Sequence, residues 1–322
     1  MSLALVPVDP QLETSHPYRD HHAATPVAID GLNLDRLEVD DYTRCVYSNG
    51  SDVRCWRRYS GGVDQHFPSP RGLADVVDVG AGDQLCAVET NRTVLCRGLL
   101  ACFRDHLEES KGRSPADPVE IPGLDKGIRV DTSISMGCVV REDQSVGCWG
   151  QTVGQGPCDP KVKDVPGLEG VVDVSVMSGT ACALTNNNRV WCWGSNRFGA
   201  LGRPKPYHSW APFEIELAYP SVKVVTSFGG AASLRVDGSV VAWGDMRADE
   251  DTSPTVFDFS GPALDVVALE GMVCALLADR SVECRGVDID MALARGRPRP
   301  PFEGKEAWLD PPVYRLAPRP SD

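Results

Sequence analysis

The sequence predicts an all-β protein assembled from one repeated unit of about four short strands. Three observations carry this. A pair of positions ten residues apart recurs six times, as Cys45/Cys55, Cys86/Cys96, Cys138/Cys148, Cys182/Cys192, Ala232/Ala242 and Cys274/Cys284. Successive first members stand 41, 52, 44, 50 and 42 residues apart, and periods of that size mark arrays, solenoids or propellers. The 31 glycines and 25 prolines among 322 residues suit many short strands joined by turns.

The unit is clearest over Val171–Gly202. Val171, Val172 and Val174 are β-branched strand formers ending near Gly179. A strand through Cys182 and Leu184 and another through Val190 and Cys192 flank Asn186-Asn187-Asn188, a turn-forming cluster. After the second paired position comes Trp and often Gly: Trp56, Trp149-Gly150, Trp193-Gly194 and Trp243-Gly244, with Arg97-Gly98 and Arg285-Gly286 as variants. A Pro-led strand lies between most units, at Pro118–Ile121, Pro212–Ile215 and Pro254–Phe257, with a further copy, Pro26–Ile29, ahead of the first hairpin. Leu99–Pro118 is the most charged insertion and holds either a short helix at Cys102–Glu109 or a solvated loop.

The pattern V-x-V…G-x-x-x-C/A-A-L…D/N-G-x-V-x-x-W-G, with G-S-N-R-F-G-A-L-G at 194–202, resembles the regulator of chromosome condensation repeat family. The resemblance runs from about Pro26 to about Gly286, is strongest at 171–202 and 222–244, and suggests a bacterial-type, cysteine-paired member. It implies a single closed β-propeller of four-stranded blades, a fold that is usually seven-bladed in this family. Six repeats are recognisable over 26–286, so six blades are expected, with seven as the alternative if 287–322 forms a degenerate last blade rather than a C-terminal strap. Residues 1–25 read as a polar tail, and Pro26–Ile29 as a strand that joins the last blade and closes the ring. Closure would remove exposed sheet edges.

The twelve cysteines fall into the five pairs above plus Cys102 and Cys158. The fifth unit has lost both partners together, to Ala232 and Ala242, which small buried thiols would have no reason to do. A three-residue turn Val236-Asp237-Gly238 makes Arg235 face Ser239, and counting outward brings Ala232 opposite Ala242. Such a non-hydrogen-bonded pair has Cα atoms about 4.5 Å apart, within the roughly 4.4–6.8 Å that a disulfide spans. Disulfides are therefore expected at the five pairs, with reduced core cysteines as the alternative, and a sixth bridge between Cys102 and Cys158 is a hypothesis. Zinc fits poorly, because no C-x₂₋₄-C spacing occurs. Disulfides imply an oxidising compartment, secreted, periplasmic or at the cell surface. Met1–Pro7 lacks the basic start of a signal peptide, so if the disulfides form, an export leader is expected to have been removed ahead of it, with a reduced cytosolic protein as the alternative.

Net charge −13 and a pI near 4.9 disfavour nucleic acid as a partner. Arg295, Arg297 and Arg299 form the one dense basic cluster, in a proline-rich stretch. No apolar run is long enough to enter a membrane as a helix. Neither catalytic nor cofactor motifs occur, and the six histidines are scattered. Asp78, Asp173 and Asp265 recur at one repeat position, which argues that they bond backbone amides rather than form a unique acid/base pair. Asn49-Gly50-Ser51 and Asn91-Arg92-Thr93 match the glycosylation sequon but sit at hairpin tips, where Asn is expected anyway. The expectation is a monomeric, non-enzymatic platform without cofactor or metal, binding a protein or a surface glycan. The aromatic insert after the fourth hairpin, with Phe198, Tyr207, His208 and Trp210, is the candidate contact surface. The resemblance also implies two alternatives: an intracellular nucleotide-exchange-like or scaffold regulator, and a secreted inhibitor of the β-lactamase-inhibitor type.

Overall fold

The computed structural model describes residues 36–39, 43–47, 53–58, 64–67, 75–82, 84–97, 119–134, 136–150, 159–245, 252–269, 272–286 and 313–314. The tail 1–25, Pro26–Ile29, Cys102, Cys158, the 102–109 segment and the arginines at 295–299 lie outside these residues.

Every described element is a strand, and the strands form six four-stranded antiparallel sheets. The first sheet is β1 (Arg36–Val39), β2 (Thr43–Tyr47), β3 (Arg54–Arg58) and β4 (Asp64–Phe67). The second is β5 (Val76–Ala81), β6 (Leu85–Glu89), β7 (Val94–Arg97) and β8 (Val119–Glu120). The third is β9 (Gly127–Thr132), β10 (Met136–Arg141), β11 (Val146–Gly150) and β12 (Asp159–Asp164). The fourth is β13 (Val171–Met177), β14 (Thr180–Thr185), β15 (Val190–Ser195) and β16 (His208–Ile215). The fifth is β17 (Ser221–Ser227), β18 (Gly230–Arg235), β19 (Val240–Gly244) and β20 (Thr255–Phe257). The sixth is β21 (Ala263–Leu269), β22 (Met272–Leu277), β23 (Val282–Gly286) and β24 (Val313–Tyr314). Each sheet is a simple meander, and contacts between first strands join consecutive sheets from first to sixth, as in a β-propeller.

The outermost strand of the sixth sheet is β24, from the C-terminal stretch, paired on β23. It takes the position that the sequence pattern assigns to Pro26–Ile29. Local pattern marks Pro312-Val313 as strand-forming but carries no information on which distant edge accepts it.

The paired positions face each other as expected. Cys45↔Cys55, Cys86↔Cys96, Cys138↔Cys148, Cys182↔Cys192, Ala232↔Ala242 and Cys274↔Cys284 are opposed across the central hairpins. The five cysteine pairs are disulfides, with Cα atoms 4.0 to 4.1 Å apart. The register follows from the turn. Arg235 N donates to Ser239 O at 3.0 Å, and Gly238 adopts φ 80° as the third turn residue. Asp237, Asp143 and Asp279 each accept from the backbone amide and hydroxyl of the serine two residues on, which closes the same turn in three sheets.

The left-handed turn residue also aims its carbonyl at the next sheet. Arg92, Gln144, Asn188 and Gly238, all at positive φ, accept hydrogen bonds from Gly127, Val171, Ser221 and Ala263 at 2.8–3.1 Å. Carboxylates repeat the linkage deeper in. Asp78 accepts from Val130 N at 2.8 Å and Asp131 from Val176 N at 2.7 Å, each across a sheet junction. Asp173 and Asp265 cap the amide of the following valine, and Asp265 also pairs with Lys223. These carboxylates are committed to the framework.

Apolar cores lie between consecutive sheets. In a strand, neighbours point to opposite faces, so each Cys-Trp dipeptide serves two cores. Cys182 and Cys192 pack towards the fifth sheet, while Trp193 packs back against the third. Trp149, Trp193 and Trp243 are fully buried. Trp149 Nε1 donates to Gln84 Oε1 in the second sheet at 2.7 Å, and Trp243 Nε1 to Ala200 O at 2.9 Å. Position 137 is glycine because a Cβ there would meet the Trp149 ring at 2.3 Å. The forward face of the sixth sheet carries Met272, Cys274 and Cys284, and no first-sheet residue is among the described members of that cluster.

Glu283 replaces an apolar residue on β23 with a carboxylate that is 1 % exposed. It accepts from Ser260 N at 3.0 Å and from the Ser260 hydroxyl, and it pairs with Arg285 at 3.3 Å. Burial, the largest single influence, pushes its pKa up, but the Ser260 bonds and the Arg285 charge together hold it below the ordinary value. A lowered folded-state pKa means that the unfolded chain binds the proton more readily. The stabilisation is therefore complete above the unfolded carboxyl pKa and drains away as pH falls through the lower folded value. Glu283→Gln should flatten stability against pH across that window in urea titrations, whereas an unchanged slope would remove Glu283 from the acid response. Glu283→Ala, which leaves the Ser260 amide unpartnered, should cost about 2 kcal/mol.

Candidate functional site

Residues 196–207 connect β15 to β16 and form the most elaborate described loop. Gly194 is the penultimate residue of β15, and its φ of 99° and close approach to the preceding bend demand glycine, since a Cβ would lie 2.2 Å from Gly179 O. Two side chains then fix the loop. Leu201 is fully buried in the core between the fourth and fifth sheets, beside Trp243, Val224 and Val241. Asn196 is buried and accepts from Leu201 N at 2.8 Å through Oδ1. Its Nδ2 donates to Arg203 O at 2.8 Å and Pro206 O at 2.7 Å, and its backbone N donates to Tyr207 O at 2.7 Å.

With the inner side anchored, Arg197, Phe198, Lys205 and Tyr207 are carried outward. Phe198 lies 5.2 Å from Phe228, centroid to centroid. Phe228 itself sits in the β17–β18 bend and is exposed. Tyr207 is 65 % exposed. Asn196–Gly199, Pro204 and Tyr207 from the fourth sheet and Gly244, Asp245 and Thr252 from the fifth line a shallow cleft of about 260 Å³. Gly199, at φ 78°, forms part of its floor, and a Cβ there would strike Thr252 at 2.2 Å.

The structure therefore brings Phe198 and Tyr207 to one cleft. His208 begins β16, opposite Ser195, and is exposed beside them. Trp210 is half-buried and packs on the core between the third and fourth sheets, so it supports the blade rather than the cleft. The cleft also uses residues that the sequence did not single out: Asn196, Arg197, Asp245 and Thr252, with Phe228 beside it. Phe228 had a signal, since the equivalent bend position is Ser178 in the fourth unit and Glu270 in the sixth.

The opposite face carries a different feature. In five consecutive sheets a β-bulge falls near the start of the first strand and leaves one apolar residue unpaired: Val77, Ile128, Val172, Val222 and Leu264. Val222 and Leu264 are 46 % and 50 % exposed. Among the described residues no group of histidine, cysteine, aspartate or glutamate could hold a metal, and no helix is long and apolar enough to cross a membrane.

Two profiles of the Regulator of chromosome condensation (RCC1) repeat match the chain, over residues 171–200 and 187–232. Human WBSCR16 is similar in structure, with TM-score 0.71 and 14 % identity over 92 % of this chain and 86 % of that one. Prp20p from Saccharomyces cerevisiae gives TM-score 0.60 and 16 % identity over 74 % of this chain and 67 % of that one. The ectodomain of the receptor kinase CR4 from Physcomitrella patens gives TM-score 0.53 and 20 % identity over 81 % and 62 %. No curated protein matches the sequence significantly. Repeats that match by sequence and blades that superpose on known propellers agree: the chain is a β-propeller that carries regulator of chromosome condensation repeats over residues 171–232.

Proposed function

We propose that this protein is an exported, non-enzymatic platform that binds a protein partner through the face carrying the 196–207 insert. The observation that carries this reading is the rigid presentation of an exposed ring, Tyr207, beside the Phe198–Phe228 pair on a loop anchored from within. Aromatics ordered before binding cost little entropy on association and are frequent interface anchors. Five buried disulfides support a life in an oxidising compartment. The recurring carboxylates bond framework amides, which supports a role without acid/base chemistry. Structural relatives add to it: yeast Prp20p is described with Gsp1p and histones, and bound to Kap60.

The test is affinity capture from culture medium and surface extracts, using the intact disulfide-bonded chain as bait. Tyr207→Ala should weaken the captured complex by about 2 kcal/mol, roughly thirtyfold. Val222→Ser, on the opposite face, serves as the control and should bind as the parent does. Equal binding by the Tyr207 variant, or equal loss in both, would reject this loop as the contact surface.

A further inference from the structure

Resting on that reading, we propose that the element docking in the cleft is an acidic peptide segment of the partner, carrying one large apolar side chain. The clustering of cations in the insert points to it. Arg92, Arg141, Arg189, Lys223, Arg235 and Arg285 each lie within ion-pair distance of a carboxylate of the chain. Arg197, Arg203 and Lys205, clustered in the insert, have no such partner among the described residues, which holds elsewhere only for the scattered Lys126, Arg129 and Arg280 among cations whose side chains are described. Each of the insert cations lies over a ring, Arg197 at 5.4 Å from the Phe198 centroid, Arg203 at 4.2 Å from Phe213, and Lys205 at 5.9 Å from Tyr207, whereas Arg235 and Arg285 combine a ring contact with an ion pair.

A cation over a ring uses only part of its donor capacity there and leaves N–H groups available to an incoming carboxylate. The result is a local positive rim on a protein of net charge −13, and such a rim selects acidic motifs. Asp245, on the fifth-sheet wall, places the negative counterpart on the far side, so a carboxylate is directed to the insert side. The cleft of about 260 Å³ is smaller than the roughly 300–1,000 Å³ of ordinary small-molecule sites, and suits a single bulky side chain. Its Phe198 wall and glycine floor offer that side chain no charge.

The experiment selects random peptides displayed on phage against the full-length disulfide-bonded protein, then measures synthetic, fluorescein-labelled versions by anisotropy. The expected winners carry aspartate or glutamate around a leucine or an aromatic residue. Arg197→Glu with Lys205→Glu should lower their affinity at least about tenfold, while the equal charge change Lys126→Glu with Arg280→Glu, on the opposite face, should not. Neutral or basic winners that are lost with Tyr207→Ala but indifferent to the insert reversal would overturn the acidic segment and leave the platform standing. Winners indifferent to Tyr207→Ala, or none at all, would remove the loop itself. Fluorescein-labelled heparin that binds with sensitivity to the reversal, where peptides do not, would overturn the peptide in favour of an anionic glycan.

Discussion

Folded protein held in a small-molecule reductant at neutral pH should keep four of its described disulfides until the propeller opens, and should release Cys274 and Cys284 first. Exchange requires a thiolate to reach a sulfur. The cysteines of the first four sheets are 0–2 % exposed, so reductant must wait for unfolding; Cys274, at 9 %, is the least protected. The outer strand of the sixth sheet, β24, is only two residues long, a length it shares with β8 of the second sheet. Time-resolved alkylation with mass mapping should therefore show Cys274 and Cys284 labelled alone, followed by the other eight in one concerted step. Equal rates for all pairs in the folded protein would break the link between burial and protection. Closing a loop of this length stabilises by about 3 kcal/mol in the chain-entropy model. Loss of five such bridges approaches roughly 15 kcal/mol, as large as the net stability of ordinary domains, about 5–15 kcal/mol. Fully reduced protein should lose its near-ultraviolet circular dichroism at room temperature, whereas the double variant Cys182→Ala, Cys192→Ala should fold with stability lowered by about 3 kcal/mol. The fifth hairpin, with Ala232 opposite Ala242, shows that one unit holds the same register without a bridge.

What was legible in the chain was what local chemistry determines. The Asp237-Gly238-Ser239 turn sets its own register, and the register places the paired positions face to face. Alternation then sends each Trp to the core opposite its neighbouring Cys. Pairings between distant segments were less legible. β16 begins at His208, four residues before Pro212, because Ser195 and Gly194 offer it an edge that no local signal announces. Trp210 and Tyr207 look alike as aromatics among prolines, yet only packing against the third sheet distinguishes the supporting ring from the presented one. That Arg197, Arg203 and Lys205 meet no carboxylate among the described residues is likewise a property of distances, invisible in a chain rich in acidic residues.

Asn196→Ala should disable the insert while leaving the aromatic contact residues Phe198 and Tyr207 in the sequence. Its side chain makes three hydrogen bonds inside the loop, one accepted from Leu201 N and two donated to Arg203 O and Pro206 O. Truncation leaves the buried Leu201 amide without its acceptor and frees the arc that carries Lys205 and Tyr207. A cost of about 3 kcal/mol follows from one orphaned buried donor, at roughly 1–3 kcal/mol, plus two lost bonds of about 1 kcal/mol each, less some relaxation. Asn196→Asp separates the two halves of the role. It retains an acceptor for Leu201 N but presents an oxygen to two carbonyls in place of the donor. Were the Leu201 bond all that mattered, aspartate would restore stability; because Nδ2 joins two strands of the loop, it should be at least as damaging as alanine. Urea midpoints of both variants, with partner binding measured beside Tyr207→Ala, decide this. Wild-type stability in the aspartate variant would show that the carbonyl bonds contribute nothing. Lost binding with a retained fold in the alanine variant would place the affinity in the loop's order before docking, since a contact surface ordered in advance does not have to be ordered by its partner.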